Sequence, residues 1–275
     1  MTFSSMPNLL FQPQSFSLIG QRAINQDTIY PTPGQATVED RLFLVCDGIG
    51  GADKGEEASW LLCESIVGYY RAVGGPLLDV VHLSLALEFA YDAYQTYLTE
   101  NPLVSRMGST LALLQLDEQG VLIAHIGDSR VYQIRDGAII FQTQDHKQVN
   151  DLVEAGIITA EQAQTHPWRN RLSRAVMGQA GEAELKKSTA DSQLLTDVRA
   201  GDYFFLCSDG ALEQLDDYTL AQSLTGDMTD PAKLHTLLAL CEGRVRDNYS
   251  GHLLHIQSVD AVHSLVGASV NVATL

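Results

Sequence analysis

Short strands that follow one another through tight turns, with the helical stretches gathered into separate blocks, predict an α+β fold rather than a doubly wound parallel sheet. Two observations carry that prediction. Residues 109–144 hold four apolar runs, STLALLQL, VLIAHIG, RVYQI and AIIFQT, divided only by turns, one of them the Asp136-Gly137 pair that favours a hairpin. Helical periodicity is confined to other blocks, chiefly residues 55–97 and the stretch after Asp216.

Taken in order, a polar, proline-spaced start leads into FSLIGQR and RLFLVCDG, two strands divided by a loop from Pro31 to Gly34. From Gly55 the period changes, and Ala58, Leu61, Leu62, Ser65, Ile66 and Tyr69 share one face of a helix. A second long helix is expected after Pro76, running toward Tyr97. Beyond the meander, residues 146–168 read as short helices with polar faces, a surface flap that extends to about residue 177. EAELKKSTA and DYFFLCSDG return to strand. A helix after Asp216, another from Pro231 to about Arg246, and the strand HLLHIQSV complete the chain. No stretch resembles a linker, so residues 1–275 are expected to form one domain with its core over about residues 15–260.

With 45% of its 275 residues hydrophobic and 19% charged, the chain has an ordinary globular composition and can bury a substantial core. Its net charge of −17 repels nucleic acid and anionic membrane, and any phosphate chemistry would need local cations. Solubility is the plain explanation of such a charge. Cys46, Cys63, Cys207 and Cys241 form no C-x-x-C pair and read as reduced core thiols. The first residues lack a signal-peptide pattern and no apolar run reaches transmembrane length, so a cytoplasmic protein is expected.

Four aspartates stand where apolar runs give way to small residues or a turn: Asp47 in FLVCDG, Asp128 in HIGDS, Asp209 in FFLCSDG and Asp247 in RDN. Each alone fits a turn, with glycine permitting the bend and aspartate capping it. The repeated context argues for more. Carboxylates converging at strand ends only accept hydrogen bonds, and they repel one another unless a cation intervenes. Oxygen donors without neighbouring thiolate or imidazole suit magnesium or manganese rather than zinc or copper.

The motifs GQRAINQD, FLVCDGIGG followed by GEEAS, MGST, IGDSRVY, TQDH, LVEAGIIT with the later HP and LSRA, GDYFFLCSDG and DN run in one unbroken order from about residue 20 to 259. In order and content the chain resembles the type 2C metal-dependent serine/threonine protein phosphatases, in their compact bacterial form. The resemblance implies a sandwich of two antiparallel β-sheets flanked by helices on both sides, with two Mn2+ or Mg2+ ions in a channel at one end. By position it implies Asp47 as the bridge between them, the Gly48 carbonyl on one metal, Asp209 and Asp247 completing the other, and Asp128 beside Asp209 holding a third, weaker metal. Arg22 would grip phosphate and Asp27 would orient metal-bound water, so the implied catalytic set is Asp47, Asp209, Asp247 and Asp27.

The implied reaction is hydrolysis of phosphoserine and phosphothreonine in proteins by direct attack of a metal-bridged hydroxide, without a covalent phosphoenzyme. Such an enzyme would act as a monomer and oppose a serine/threonine kinase. Paired cations acidify a shared water to a pKa of about 7 and stabilise charge on the attacking and leaving oxygens. Arginine offers phosphate a planar fork that lysine lacks.

Several positions depart from the family pattern. Ile49 stands where some members carry a histidine beside the bridging Asp-Gly, which leaves the general acid unassigned. Gln26 replaces a carboxylate common in relatives, Ala52 replaces a histidine, and the last motif reads DNYS where threonine is usual. His125 reads as a satisfied interior histidine, whereas His146 and His166 belong to the flap and could approach substrate. Asn248 reads as a structural turn residue, and Ser129 and Arg130 as braces of their turn.

Two other function classes compete. Gly127-Asp128-Ser129 with Asp260 and His263 resembles pieces of GDS-type serine esterases, with Ser129 as nucleophile, but that reading leaves Asp47, Asp209 and Asp247 unexplained. A non-catalytic phosphoprotein-binding relative would have no reason to keep mutually repelling carboxylates together.

Overall fold

A computed structural model of the chain describes residues 10–49, 54–74, 79–117, 119–181 and 187–258. In order, the elements are β1 (Gln14–Leu18), β2 (Asp27–Tyr30), β3 (Leu42–Asp47), α1 (Gly55–Ala72), α2 (Val80–Glu100), β4 (Arg106–Ser109), β5 (Leu111–Leu116) and β6 (Val121–Ile126). There follow β7 (Arg130–Arg135), β8 (Ala138–Gln142), α3 (Gln148–Glu154), α4 (Ala160–Thr165), β9 (Val176–Gln179), β10 (Asp191–Leu195), β11 (Tyr203–Cys207), a 3-10 turn (Asp209–Glu213), α5 (Asp217–Ser223), α6 (Asp230–Cys241) and β12 (Tyr249–His255).

Two five-stranded sheets dominate, in the orders β1-β12-β11-β7-β8 and β10-β6-β5-β3-β2, and β4 pairs separately with β9. Every strand pair is antiparallel. The expected α+β sandwich is therefore the observed one.

Side-chain alternation explains why the central strands read as unbroken apolar runs. In β3, Leu42, Leu44 and Cys46 pack beneath α1 and α2, while Phe43 and Val45 face the other sheet. In β11, Phe205 and Cys207 pack with α5 and α6, while Phe204 and Leu206 point into the sandwich. Helices thus cover both outer faces, and each central strand is buried on both sides.

Several expectations need correction. FSLIGQR does not stay extended to Arg22: β1 ends at Leu18, and Gly20 turns the chain at a positive φ of 60°. STLALLQL is broken at Thr110, which separates β4 from β5 and puts them in different sheets. Residues 187–190 of EAELKKSTA carry no strand, which begins at Asp191, and residues 182–186 lie outside the described set. The helix expected to reach Arg246 stops at Cys241, two residues before Gly243, whose φ is 69°. Strands β2, β9 and β10 escaped sequence reading because they are short and mix polar with apolar positions. The start of the second helix around Pro76 and the position of Ala52 lie outside the described residues.

Candidate metal centre

Asp47 is the last residue of β3, and strand register sets Asp27 of β2 directly across from it. The strand end is held on its other side by Thr110, whose hydroxyl accepts from Asp47 N–H at 3.1 Å, and by Ser109, whose hydroxyl donates to the Asp47 carbonyl at 3.0 Å. Gly48 then turns away with the N-terminus of α1 pressed against it. A Cβ on Gly48 would sit 2.1 Å from the Gly55 carbonyl oxygen, so no larger residue fits there.

Asp209 leaves β11 where the chain tightens into the 3-10 turn, and Asp247 precedes β12. They are brought side by side because Gly210 lies against the next backbone, where a Cβ would stand 2.0 Å from the Asn248 carbonyl oxygen. Asn248 also anchors the loop that carries Arg22: its Oδ1 accepts from Gln26 N–H at 2.8 Å, and its Nδ2 donates to the Ile19 and Ile24 carbonyls at 2.9 and 3.0 Å. The structural role expected of Asn248 is thereby accounted for.

Asp47, Gly48, Asp128, Asp209, Asp247 and Arg22 all line one cavity of about 620 Å3, together with Gln26. Asp27 lies just behind this floor, buried, with Oδ2 accepting from Ser208 at 2.7 Å. Its Oδ1 is buried without any hydrogen-bond donor. Arg106, Arg171 and Arg174 line the same cavity, giving an acidic floor a basic wall. Part of that wall comes from residues 170–177, the end of the expected flap.

The carboxylates pay for this proximity electrostatically. Burial and then the charges of Asp27, Asp209, Asp128 and Asp247 push Asp47 well above the usual carboxylate range. Burial raises Asp27 to about 6, against the hydrogen bond from Ser208. Asp209 rises to about 7 through burial and then through Asp128 and Asp247. Basic side chains hold the other two acids. The Arg22 guanidinium meets Asp247 through paired bonds of 2.9 and 2.7 Å, and Lys147 Nζ lies 3.1 Å from Asp128. Among the described residues, Asp27, Asp47 and Asp209 have no ion-pair partner, and burial raises Asp128 as well despite Lys147.

An all-oxygen donor set with an orphaned carboxylate oxygen behind it fits hard divalent cations. His125, His146 and Asp191 also bring ligand atoms within 4.8 Å of one another. Their hydrogen bonds already commit them. Gly127 N–H donates to His146 Nδ1 at 3.1 Å, so the ring proton sits on Nε2 and is donated to Asp191 at 3.0 Å, while His125 Nε2 donates to the Gln144 carbonyl at 2.9 Å. His125 is thus a satisfied interior histidine. His146 is buried beneath the flap rather than facing substrate, and neither it nor His166 lines the cavity.

Ser129 is buried, with its hydroxyl 2.6 Å from that of Thr110, and Arg130 forks onto Asp145 at 2.6 and 2.9 Å. Both brace, as expected, and a nucleophilic Ser129 has no route to an ester. Asp260 and His263, its supposed partners, lie outside the described residues. Sequence reading missed Lys147. Burial works against its charge, but Asp128 and Asp145 outweigh that and hold the ammonium more firmly protonated than in water.

Comparison with known proteins places the chain in a family. The sequence profile of protein phosphatase 2C matches residues 17–238. The serine/threonine protein phosphatase PstP of Mycobacterium tuberculosis is 33% identical over 204 residues, which cover 74% of this chain and 36% of that protein, so the chain spans about a third of its length. The crystal structure of the M. tuberculosis phosphatase PstP/Ppp superposes with a TM-score of 0.73 at 30% identity, covering 90% of this chain and all of that one. The PstP catalytic domain in complex with two manganese ions superposes at 0.69, with 29% identity and coverage of 90% and 98%. By sequence profile, identity and fold together, this chain belongs to the protein phosphatase 2C family.

Proposed function

We propose that the chain is a manganese- or magnesium-dependent phosphoprotein phosphatase that hydrolyses phosphoserine and phosphothreonine, reversing a serine/threonine kinase in the cytoplasm. The observation that carries the reading is the single cavity in which Asp47, Asp209 and Asp247 form the floor and four arginines line the sides. Asp47, the Gly48 carbonyl, Asp209 and Asp247 would hold the metal pair. Bound divalent cations there would acidify water and neutralise charge on the phosphoryl oxygens.

The chain's own residues supply the rest. Arg22 is half exposed and stands at the cavity, so its guanidinium can leave Asp247 and offer two parallel N–H groups to a phosphate. Arg106, Arg171 and Arg174 offset the overall negative charge where an anionic substrate enters. Asp27 keeps a free acceptor oxygen behind Asp47, positioned to orient a water proton. Among the described residues no histidine lines the cavity, and the group that protonates a leaving alcohol is not assigned.

Four buried, unpaired cysteines support a reducing compartment, and no helix among the described residues is long and apolar enough to cross a membrane. The test is turnover of a phosphothreonine peptide and of p-nitrophenyl phosphate by purified protein. Chelation should abolish both activities and manganese restore them. Chelator-resistant turnover would overturn the metal reading.

A further inference from the structure

Two basic side chains enter the acidic cluster, and they differ in how firmly they are built in. Arg22 and Asp247 are 51% and 36% exposed at the cavity mouth. Lys147 and Asp128 are only 20% and 8% exposed, and Lys147 Nζ also meets Asp145 at 2.9 Å. Asp145 is itself fixed by the fork from Arg130.

The backbone around Lys147 is equally constrained. His146 N–H donates to the Gly127 carbonyl at 2.9 Å, Ser173 N–H donates to the His146 carbonyl at 2.8 Å, and Lys147 forms a β-bridge with Leu172. These contacts rivet the residue that starts α3 against the turn carrying Asp128. The ammonium reaches Asp128 from the side of a neighbouring cavity lined by Lys147 and Asp145, while Asp128 and Asp209 face the metal floor.

We propose that Lys147 occupies, at Asp128, the place of a third divalent cation, so that this chain carries a two-metal centre whose remaining positive charge is a resident ammonium. The inference rests on the metal-centre reading above. Charge balance favours it: two divalent cations and one ammonium neutralise Asp27, Asp47, Asp128, Asp209 and Asp247, leaving Arg22 free for phosphate. A third cation at Asp128 would have to approach a buried like charge that has a second carboxylate, Asp145, holding it in place. The same contact ties the base of the flap to the metal floor.

The test counts bound manganese from the loss of the free-ion electron paramagnetic resonance signal, using the whole 275-residue chain. The wild type should bind two ions, as two-metal sites do, and Asp128→Asn should leave that number at two even if the affinity shifts with the lost charge. Lys147→Gln should add a third site, or tighten a weak one by about tenfold or more, and Lys147→Arg should not. The added site should vanish in Lys147→Gln/Asp128→Asn. Three ions in the wild type with one lost in Asp128→Asn would overturn the proposal, as would a Lys147→Gln titration identical to wild type. Should Lys147→Gln fail to fold, the wild type and Asp128→Asn still decide. No bound manganese at all would sink the metal centre itself, a different result from finding three.

Discussion

Replacing Asp209 by asparagine should make the metal-free protein more stable, although the residue is proposed as a metal ligand. Its carboxyl is shifted from an ordinary 3.8 to about 7 by burial and by Asp128 and Asp247. A group raised in the folded state contributes stability below its unfolded value and loses it as pH rises through the folded one, here between 3.8 and about 7. At about 1.4 kcal/mol per tenfold change in acid strength, the penalty is about 4 kcal/mol at pH 8 and falls to about 2 kcal/mol at pH 5.

These figures are upper ends, because water entering the cavity and relaxation of Asp128 and Asp247 relieve part of the strain. A gain of about 2–4 kcal/mol for Asp209→Asn at pH 8 is therefore expected, shrinking toward acid. Urea unfolding in chelator at the two pH values measures it. Manganese should then stabilise the wild type far more than the variant. A variant less stable than wild type at pH 8, or a gain independent of pH, would show that the acidic cluster is not under the electrostatic strain described.

Arg22→Ala should lower kcat/KM for a phosphopeptide about ten- to hundredfold, the worth of a charge-assisted pair of hydrogen bonds, and should tighten manganese binding by freeing Asp247. Weaker manganese binding in that variant would contradict the competition, and steady-state kinetics with a metal titration reads both. Ser129→Ala should leave chelator-sensitive turnover within a few-fold of wild type and cost about 1 kcal/mol by removing the partner of the Thr110 hydroxyl; complete loss of turnover in folded protein would revive the esterase. Excising residues 158–168, which contain α4, should alter phosphopeptide kinetics more than those of p-nitrophenyl phosphate. Equal effects on both substrates would argue against a role for the flap in substrate selection.

Much of this was legible because the relevant signals are local. FLVCD and FFLCS announce strands because both faces of β3 and β11 are buried, which forces continuous apolar runs. The aspartates that follow them stand out against those runs. By contrast β2 offers only DTIY, and β10, with four of its five residues exposed, looks like loop. Asp27 drew its role from resemblance alone, and its register opposite Asp47 appears only once β2 and β3 pair.

By itself, then, the sequence determined the α+β class, the family, and the identity of the acids that could hold a cation, since hydrophobic period and residue type are properties of short segments. Which cation each acid meets was decided by tertiary structure. Arg22 reaches Asp247 across 225 residues, and Lys147 reaches Asp128 across a turn, a hairpin and the base of the flap. Electrostatic energy depends on distance and burial, and neither exists until the chain has folded.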